Sequence, residues 1–157
     1  MNSLNHLNLS NHKIIKFKKE DFKNPKLLDE KVKKSSVIVH LAGLNRHENQ
    51  SVIYESNINL SQELVDSIKR VGFSGKLIFS SSIQETLNNT YGKSKKDSRD
   101  LFIRESKLNG FIFSALILPN VYGPFGKPNY NSFIPTFCQK ICDGKQVKIL
   151  DNAQVKL

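Results

Sequence analysis

The residues best suited to chemistry lie between Ser80 and Lys95, where the sequence reads SSSIQETLNNTYGKSK. Tyr91 and Lys95 are four residues apart, so on a helix their side chains share one face. A free tyrosine has a pKa of about 10 and is a weak base at neutral pH, but a nearby lysine cation stabilises the phenolate and lowers that pKa. The pair could therefore donate or accept a proton.

Taken alone, the Tyr-x-x-x-Lys spacing is weak evidence, because Tyr91 could simply pack at a helix start while Lys95 faces solvent. Ser82 makes the pattern more specific, since it ends an apolar run and precedes a short loop that leads back to Tyr91. A hydroxyl there could orient a substrate carbonyl while Tyr91 supplies the proton. Serine is also common where a strand simply runs into a loop, so the combination carries the argument rather than any single residue.

Alternating apolar runs and helical periods predict the element order β-α-β-α-β-α-β-α-β, which is typical of a doubly wound α/β sheet of parallel strands. Continuous apolar runs of this kind form strands that are buried on both faces. The predicted strands cover residues 12–19, 35–43, 76–82, 111–119 and 146–150, and the helices cover residues 25–34, 51–71, 91–108 and part of 129–143.

Polar and small residues follow three of these predicted strands. They are His40–Gly43, Ser80–Ser82 and Pro119–Asn120. Ligands of doubly wound sheets bind outside the carboxyl ends of the strands. These residues are therefore expected to form one site.

The composition indicates a single soluble globular domain, because 157 residues with 38% hydrophobic content and a mean hydropathy of −0.39 can bury a core. No apolar run reaches the roughly 20 residues of a membrane span, and no secretory pattern begins the chain. Cys138 and Cys142 fit neither a redox pair nor a disulfide framework. We therefore expect a cytoplasmic protein with no membrane partner.

The net charge of +10 could indicate a nucleic-acid partner. The lysines are spread along the chain, however, and no nucleic-acid-binding motif accompanies them. A solvated basic surface, or a phosphate-bearing ligand, explains the charge better, so no nucleic-acid partner is expected. The four histidines have no ligand spacing with acids or cysteines, so no metal site is predicted.

The chain resembles the extended short-chain dehydrogenases/reductases, and among them the NAD-dependent epimerase/dehydratase family that acts on nucleotide sugars. The segments VIVHLAG, NINLSQELVDSIK, FSSS with YGKSK, and LPNVYGPFGKPNYNSFIPTF carry the resemblance through nearly the whole chain. HLAGLNRHE, SSSIQ with its short loop, and GKPNYNSFIPTFC are most similar to bacterial capsular and O-antigen UDP-hexulose reductases of the CapF type. Those enzymes are implied to make UDP-N-acetyl-L-fucosamine precursors and to join a reductase domain to a cupin domain.

The resemblance implies a role for individual residues. Tyr91 would be the general acid in reduction, Lys95 would lower its pKa and bind the nicotinamide ribose, and Ser82 would orient the substrate carbonyl. The cofactor would contact Leu41, Ala42, Gly43, Ser80, Lys95 and Pro119, with Asn57 holding the loop beside it. The sugar nucleotide would contact Ser81, Asn120, Asn131 and Arg46, although a solvated loop position explains Arg46 equally well.

The residues after the first predicted strand bear on the choice of nicotinamide. An acid there suits NAD, whereas a basic residue suits the 2′-phosphate of NADP. Here the sequence is Phe17-Lys18-Lys19, which favours NADP(H) over NAD(H), with Lys18 as the contact. The general excess of lysine is the alternative explanation.

The glycine-rich Gly-x-x-Gly-x-x-Gly turn of the family, whose backbone amides bind the cofactor pyrophosphate, does not occur here, and Gly43 is the first glycine. Residues 1–157 are therefore expected to be a partial NAD(P)-binding domain that lacks the first strand, with a truncated substrate lobe from about residue 120. We expect the chain alone to be inactive and to bind cofactor poorly. Tight binding of NADPH in a fluorescence titration would contradict this.

The expected activity is reduction of a UDP-4-keto-6-deoxy-hexose, with a homodimer expected for the full-length enzyme. A 4-epimerase of the same family remains open, because it uses the same serine, tyrosine and lysine. A dehydratase is disfavoured, since Ile83 and Gln84 stand where an acid/base pair is needed and Glu85 is displaced by one position. A non-catalytic remnant or docking subunit is the third alternative.

Overall fold

The computed structural model describes residues 13–124, 126–130 and 132–148, which form an α/β fold around one parallel sheet. The sheet has the strand order β1-β2-β3. This confirms the predicted fold class. The strands are β1 (Val37–His40), β2 (Lys76–Ser82) and β3 (Ile112–Leu118), the helices are α1 (Pro25–Lys33), α2 (Gln50–Val71), α3 (Thr90–Asn109) and α4 (Phe133–Cys142), and short 3-10 helices cover Lys19–Lys23 and Ile83–Thr86.

The hydrophobic core lies between one face of the sheet and helices α1, α2 and α3. Alternate residues of β2 point into it, because successive side chains of a strand face opposite sides. Leu77 and Phe79 are thus fully buried, whereas Ile78 and Ser80 lie on the opposite face and are half-buried. The other core side chains are Leu28, Val32, Leu64, Val65, Ile68, Phe73, Leu101, Phe102 and Phe111.

On the opposite face of the sheet, the two outer strands carry exposed apolar side chains. Val37 and Val39 of β1 and Ile112 and Leu116 of β3 are each at least 50% exposed. A doubly wound sheet has helices on both faces, but here α1, α2 and α3 all contribute to the core on one face. None of the described helices has both the length and the apolar composition of a membrane span.

The start of α3 is fixed by local hydrogen bonding, and this sets the position of Tyr91. The Asn89 side chain accepts a hydrogen bond of 2.7 Å from the Gly92 amide, which caps the helix. At the other end, Gly110 adopts the left-handed conformation with φ of 74°, as glycine does most easily. Tyr91 therefore lies in the first turn, with Lys95 one turn further along.

Two predicted strands are wrong over the residues that the structure describes. Residues 13–18 have no regular structure and lead into the 3-10 helix Lys19–Lys23, and residues 146–148 are also irregular, while residues 12, 149 and 150 lie outside the described part. Alternating apolar residues form a strand only where another strand offers its backbone for pairing. The described sheet offers no such partner to either segment, so it has three strands.

Candidate active site

A cavity of about 300 Å³ opens at the carboxyl ends of β1, β2 and β3, where the sequence predicted a site. The cavity brings together eight residues that the sequence had singled out. Asn45, Leu118, Val121 and Tyr130 also line it and had no predicted role. The eight predicted residues are Leu41, Gly43, Ser80, Ser81, Ser82, Tyr91, Lys95 and Pro119.

Lys95 is the most deeply buried charged group of this cavity, with only 4% of its surface exposed. Its Nζ donates a hydrogen bond of 2.9 Å to the Ser80 carbonyl and lies 4.7 Å from the centre of the Phe79 ring. Burial lowers the pKa of Lys95 from 10.5 to about 8, while the negative charge of Glu85 opposes that change. Lys95 is therefore a fixed ammonium group that remains mostly protonated at neutral pH.

Tyr91 lies beside this lysine, with its ring centre 5.9 Å from Lys95 Nζ. Burial raises the pKa of the Tyr91 phenol above its usual value. The sequence had predicted the opposite, namely that Lys95 lowers the pKa of Tyr91. The pKa rises instead because the phenol is partly desolvated and the lysine is directed to the Ser80 carbonyl. The phenol therefore stays protonated at neutral pH, which suits a group that donates a proton.

The three serines of β2 have different surroundings. Ser82 Oγ accepts a hydrogen bond of 3.2 Å from the Gln84 amide, so its own proton can still be donated into the cavity. Ser80 Oγ donates to the His40 carbonyl at 3.4 Å. The Ser81 hydroxyl instead donates to the Glu85 carboxylate, so it is engaged within the protein rather than directed at a substrate.

Asn57 holds the loop that follows β1. It is buried in α2, where its Oδ1 accepts a hydrogen bond of 2.6 Å from the Leu44 amide and its Nδ2 donates to the Leu44 carbonyl at 2.9 Å. Nδ2 also donates to Ser94 Oγ at 2.8 Å, and Ser94 donates to the Tyr91 carbonyl at 2.7 Å. Ser94 therefore connects the loop to the first turn of α3, and the sequence had given it no role.

Four other predicted contacts do not line the cavity. Arg46 and Asn120 are exposed, and Ala42 is half-buried. Lys18 is exposed before the first 3-10 helix, where its backbone amide donates to Asp21 at 2.7 Å. Asn131 lies outside the described residues.

His40 is a buried neighbour of the site that the sequence placed at the strand end without a specific role. Its ring stacks on Phe79 at 5.7 Å and meets Phe102 edge-on at 5.7 Å. Burial, together with the positive charge of Lys95, lowers the pKa of His40 to about 3. The imidazole is therefore neutral at physiological pH and acts as an aromatic packing group behind Lys95.

Gly92 allows α3 to approach the 3-10 helix Ile83–Thr86 closely. A Cβ at this position would lie 1.9 Å from the Gln84 carbonyl oxygen, which is far inside van der Waals contact. We expect Gly92→Ala to lower the free energy of unfolding by about 3 kcal/mol, because the helix or the turn must move. Urea unfolding followed by circular dichroism measures this.

Gly72→Ala is the matched control for that substitution. Gly72 has a φ of 63° and nothing within 4 Å of its Cβ position, so alanine there meets conformational strain without a collision. Its expected cost is about 1 kcal/mol. Equal losses in the two variants would contradict the close packing at Gly92.

Comparison with known proteins shows which family the chain belongs to. The model of the NAD dependent epimerase/dehydratase family matches residues 2–156 of this chain. The chain belongs to that family. The predicted family is thereby confirmed, and the cavity of this epimerase/dehydratase chain lies where the family segments SSS and YGKSK meet.

Individual relatives support the resemblance to UDP-hexulose reductases. A UDP-2-acetamido-2,6-beta-L-arabino-hexul-4-ose reductase of Pseudomonas aeruginosa is 34% identical over 114 residues, which are 73% of this chain and 31% of that protein. The crystal structure of the capsular polysaccharide assembling protein CapF of Staphylococcus aureus is 33% identical with a TM-score of 0.68, covering 87% of this chain and 35% of that one. The chain thus spans about a third of the length of these relatives.

An epimerase is also among the similar structures. A UDP-N-acetylglucosamine 4-epimerase of Methanobrevibacter ruminantium is 26% identical with a TM-score of 0.72, and the match covers 91% of this chain and 52% of that one. The fold of the described residues is therefore common to reductases and epimerases of the family.

Proposed function

We propose that the whole protein reduces the 4-keto group of a UDP-4-keto-6-deoxy-hexose with NAD(P)H, in the synthesis of a capsular or O-antigen polysaccharide. The observation that carries this proposal is the common cavity of Ser82, Tyr91 and Lys95. The identities of 34% and 33% to a UDP-hexulose reductase and to CapF support the substrate class. The UDP-sugar is thus the proposed partner, and a precursor of UDP-N-acetyl-L-fucosamine is its proposed type.

The proposed chemistry divides among three side chains. Ser82 donates its free hydroxyl proton as a hydrogen bond to the keto oxygen and so orients it. Tyr91, whose pKa burial holds above its usual value, delivers the proton that converts this oxygen to a hydroxyl. Lys95, fixed by the Ser80 carbonyl, provides positive charge beside the phenolate that remains.

The residues of the cavity fit the nicotinamide end of an NAD(P) cofactor. A Cβ at Gly43 would lie 3.3 Å from both Lys95 Nζ and Asn57 Oδ1, so the glycine keeps the space before the lysine open. Leu41 and Pro119 add apolar surface beside it. When bound, the nicotinamide would supply the hydride that reduces the keto carbon.

We further propose NADP(H) as the cofactor, with Lys18 near its 2′-phosphate. Asp21, the acid that accepts a hydrogen bond from the Lys18 backbone, supports this choice. Its carboxylate accepts from the Lys18 amide at 2.7 Å and pairs with Lys31, so it is not free to bind a ribose hydroxyl as an NAD-selective acid would. Comparison of turnover with NADPH and NADH tests the preference, and a clear preference for NADH would contradict it.

The direct experiment uses the protein encoded by the longest reading frame that contains these 157 residues. We call it the test protein. It is mixed with NADPH and UDP-2-acetamido-2,6-dideoxy-hexul-4-ose, and cofactor absorbance and the sugar product are followed. Oxidation of NADPH with formation of the 4-hydroxy sugar supports the reductase. Absence of turnover over a broad range of pH and substrate concentration would overturn it.

A 4-epimerase is the second candidate, favoured by the match to the Methanobrevibacter enzyme over 91% of this chain. The same experiment separates the two activities, because an epimerase interconverts UDP-sugars without net consumption of NADPH. A test protein that does neither, while remaining folded, would instead favour the non-catalytic remnant or docking subunit. The cytoplasmic location, the homodimer and the domain limits stay predictions, and light scattering of the test protein checks the dimer.

A further inference from the structure

An acidic group contacts Ser81 of the cavity, and the proposed reaction gives it no role. The Glu85 side chain is only 8% exposed, in the 3-10 helix that follows β2. It accepts a hydrogen bond from the Ser81 hydroxyl and binds Arg99, whose Nε and Nη2 each lie 2.9 Å from Oε2. A carboxylate so enclosed is held in one position.

The arginine that binds Glu85 lies on the same face of α3 as the two proposed reactive residues of that helix. Tyr91, Lys95 and Arg99 follow one another at intervals of four residues, so they form a single stripe on the helix. Lys95 binds the Ser80 carbonyl, and Arg99 binds the carboxylate that the next residue, Ser81, also holds. The end of β2 is thus joined to α3 by two neighbouring contacts. Lys95 makes one of them directly, and Arg99 makes the other through Glu85.

The other groups around Lys95 bring no negative charge. His40 of β1 is neutral, because burial lowers its pKa to about 3. Tyr91 of α3 is protonated at neutral pH, and Asn57 of α2 is an uncharged amide. Among the described residues, Glu85 is the acid whose charge counters the burial of Lys95.

We propose that Glu85 is a positioning residue of this site, which fixes the Ser81–Ser82 strand end and keeps the buried Lys95 in its charged form. Arg99 holds the carboxylate in place and at the same time moderates its charge. The inference deepens the proposed function, since a charged Lys95 is what that reaction requires beside Tyr91. Without Glu85, the lysine would have no counter-charge against burial and would lose its proton nearer to neutral pH.

The test measures the titration of Lys95 itself in the 157-residue chain. The chain is labelled with ¹³C at lysine Cε, the Lys95 signal is assigned by its loss in Lys95→Met, and its midpoint is followed by NMR. The expected wild-type midpoint is about 8. Glu85→Gln should lower this midpoint by about one unit, and Arg99→Gln should raise it, because the carboxylate is then no longer neutralised.

Glu55→Gln is the matched control, since it makes the same charge change at an exposed position of α2. It should leave the midpoint unchanged. A purely structural role for Glu85 predicts that Glu85→Gln does not lower the midpoint. An unchanged midpoint in a folded Glu85→Gln variant would overturn the proposal. Where that variant unfolds, the Glu85→Gln/Arg99→Gln double variant is compared with Arg99→Gln: a lower midpoint in the double variant supports the proposal, and equal midpoints overturn it.

The titration needs neither cofactor nor sugar, so it stands apart from the proposed function. In an active test protein, Glu85→Gln should also move the alkaline limb of the pH–rate profile to lower pH by the same amount as the NMR midpoint. Shifted midpoints in a protein that does not reduce the sugar would leave the role of Glu85 intact and remove the proposed function. An active enzyme whose Lys95 midpoint is the same in the wild type and in Glu85→Gln would support the proposed function and remove the role of Glu85.

Discussion

Tyr91→Phe is expected to lower the turnover of the test protein roughly a hundredfold to ten-thousandfold, with little change in stability. The substitution removes the proton donor and keeps the ring. Burial, rather than a hydrogen bond, raises the pKa of this phenol, so the hydroxyl contributes little to the folded state. Steady-state rates and urea unfolding of both proteins measure the two effects.

Tyr54→Phe removes the same atom from a tyrosine outside the site and serves as the matched control. Tyr54 lines a second cavity of about 570 Å³, and its hydroxyl donates a hydrogen bond of 2.7 Å to Asp97. This variant should lose about 1 kcal/mol of stability and keep its turnover. Full activity of Tyr91→Phe, or an equal loss in Tyr54→Phe, would refute the assigned role.

The parts of the site that the sequence predicted are those that local pattern determines. A continuous apolar run placed Ser82 at a strand end, and the helical period placed Tyr91 and Lys95 on one face. Both features depend on neighbours in sequence, and the structure brings all three residues to one cavity. The resemblance to the family added Asn57, which local pattern alone does not identify.

The parts that could not be predicted depend on contacts across the fold. Nothing in the sequence tells that the Gln84 carbonyl packs against Gly92, or that Glu85 reaches Arg99 rather than solvent. The direction of the Tyr91 pKa was wrong for the same reason, since burial is a property of the packed protein. Residues 13–18 carry a strand-like alternation, but pairing with another strand decides whether a strand forms.

Lys95→Met is expected to abolish reduction and yet to stabilise the protein near neutral pH. The fall in the pKa of Lys95 from 10.5 to about 8 means that burying the cation costs roughly 3 kcal/mol below pH 8. Methionine has a similar length and no charge to desolvate. It loses the hydrogen bond to the Ser80 carbonyl, worth about 1 kcal/mol, so a net gain of about 2 kcal/mol is expected.

The pH dependence of this gain identifies its cause. Between about pH 8 and pH 10.5 the unfolded chain keeps the Lys95 proton that the folded chain has lost, so the unfolding free energy of the wild type rises with pH in that window. The variant lacks this rise, and the difference between the two proteins should therefore shrink. Tyr91 and the other titrating groups occur in both proteins, so their effects largely cancel in the difference.

Urea unfolding at several pH values from about pH 7 to about pH 10 measures this difference, and Lys96→Met is the matched control on the same helix. Lys96 is exposed, so its replacement should change stability by little and by the same amount at each pH. A stability difference for Lys95→Met that does not vary with pH would mean that burial of the cation is not its source. A protein that retains a destabilising lysine at a position that is only 4% exposed is using that charge, which is the physical argument for placing Lys95 in the reaction.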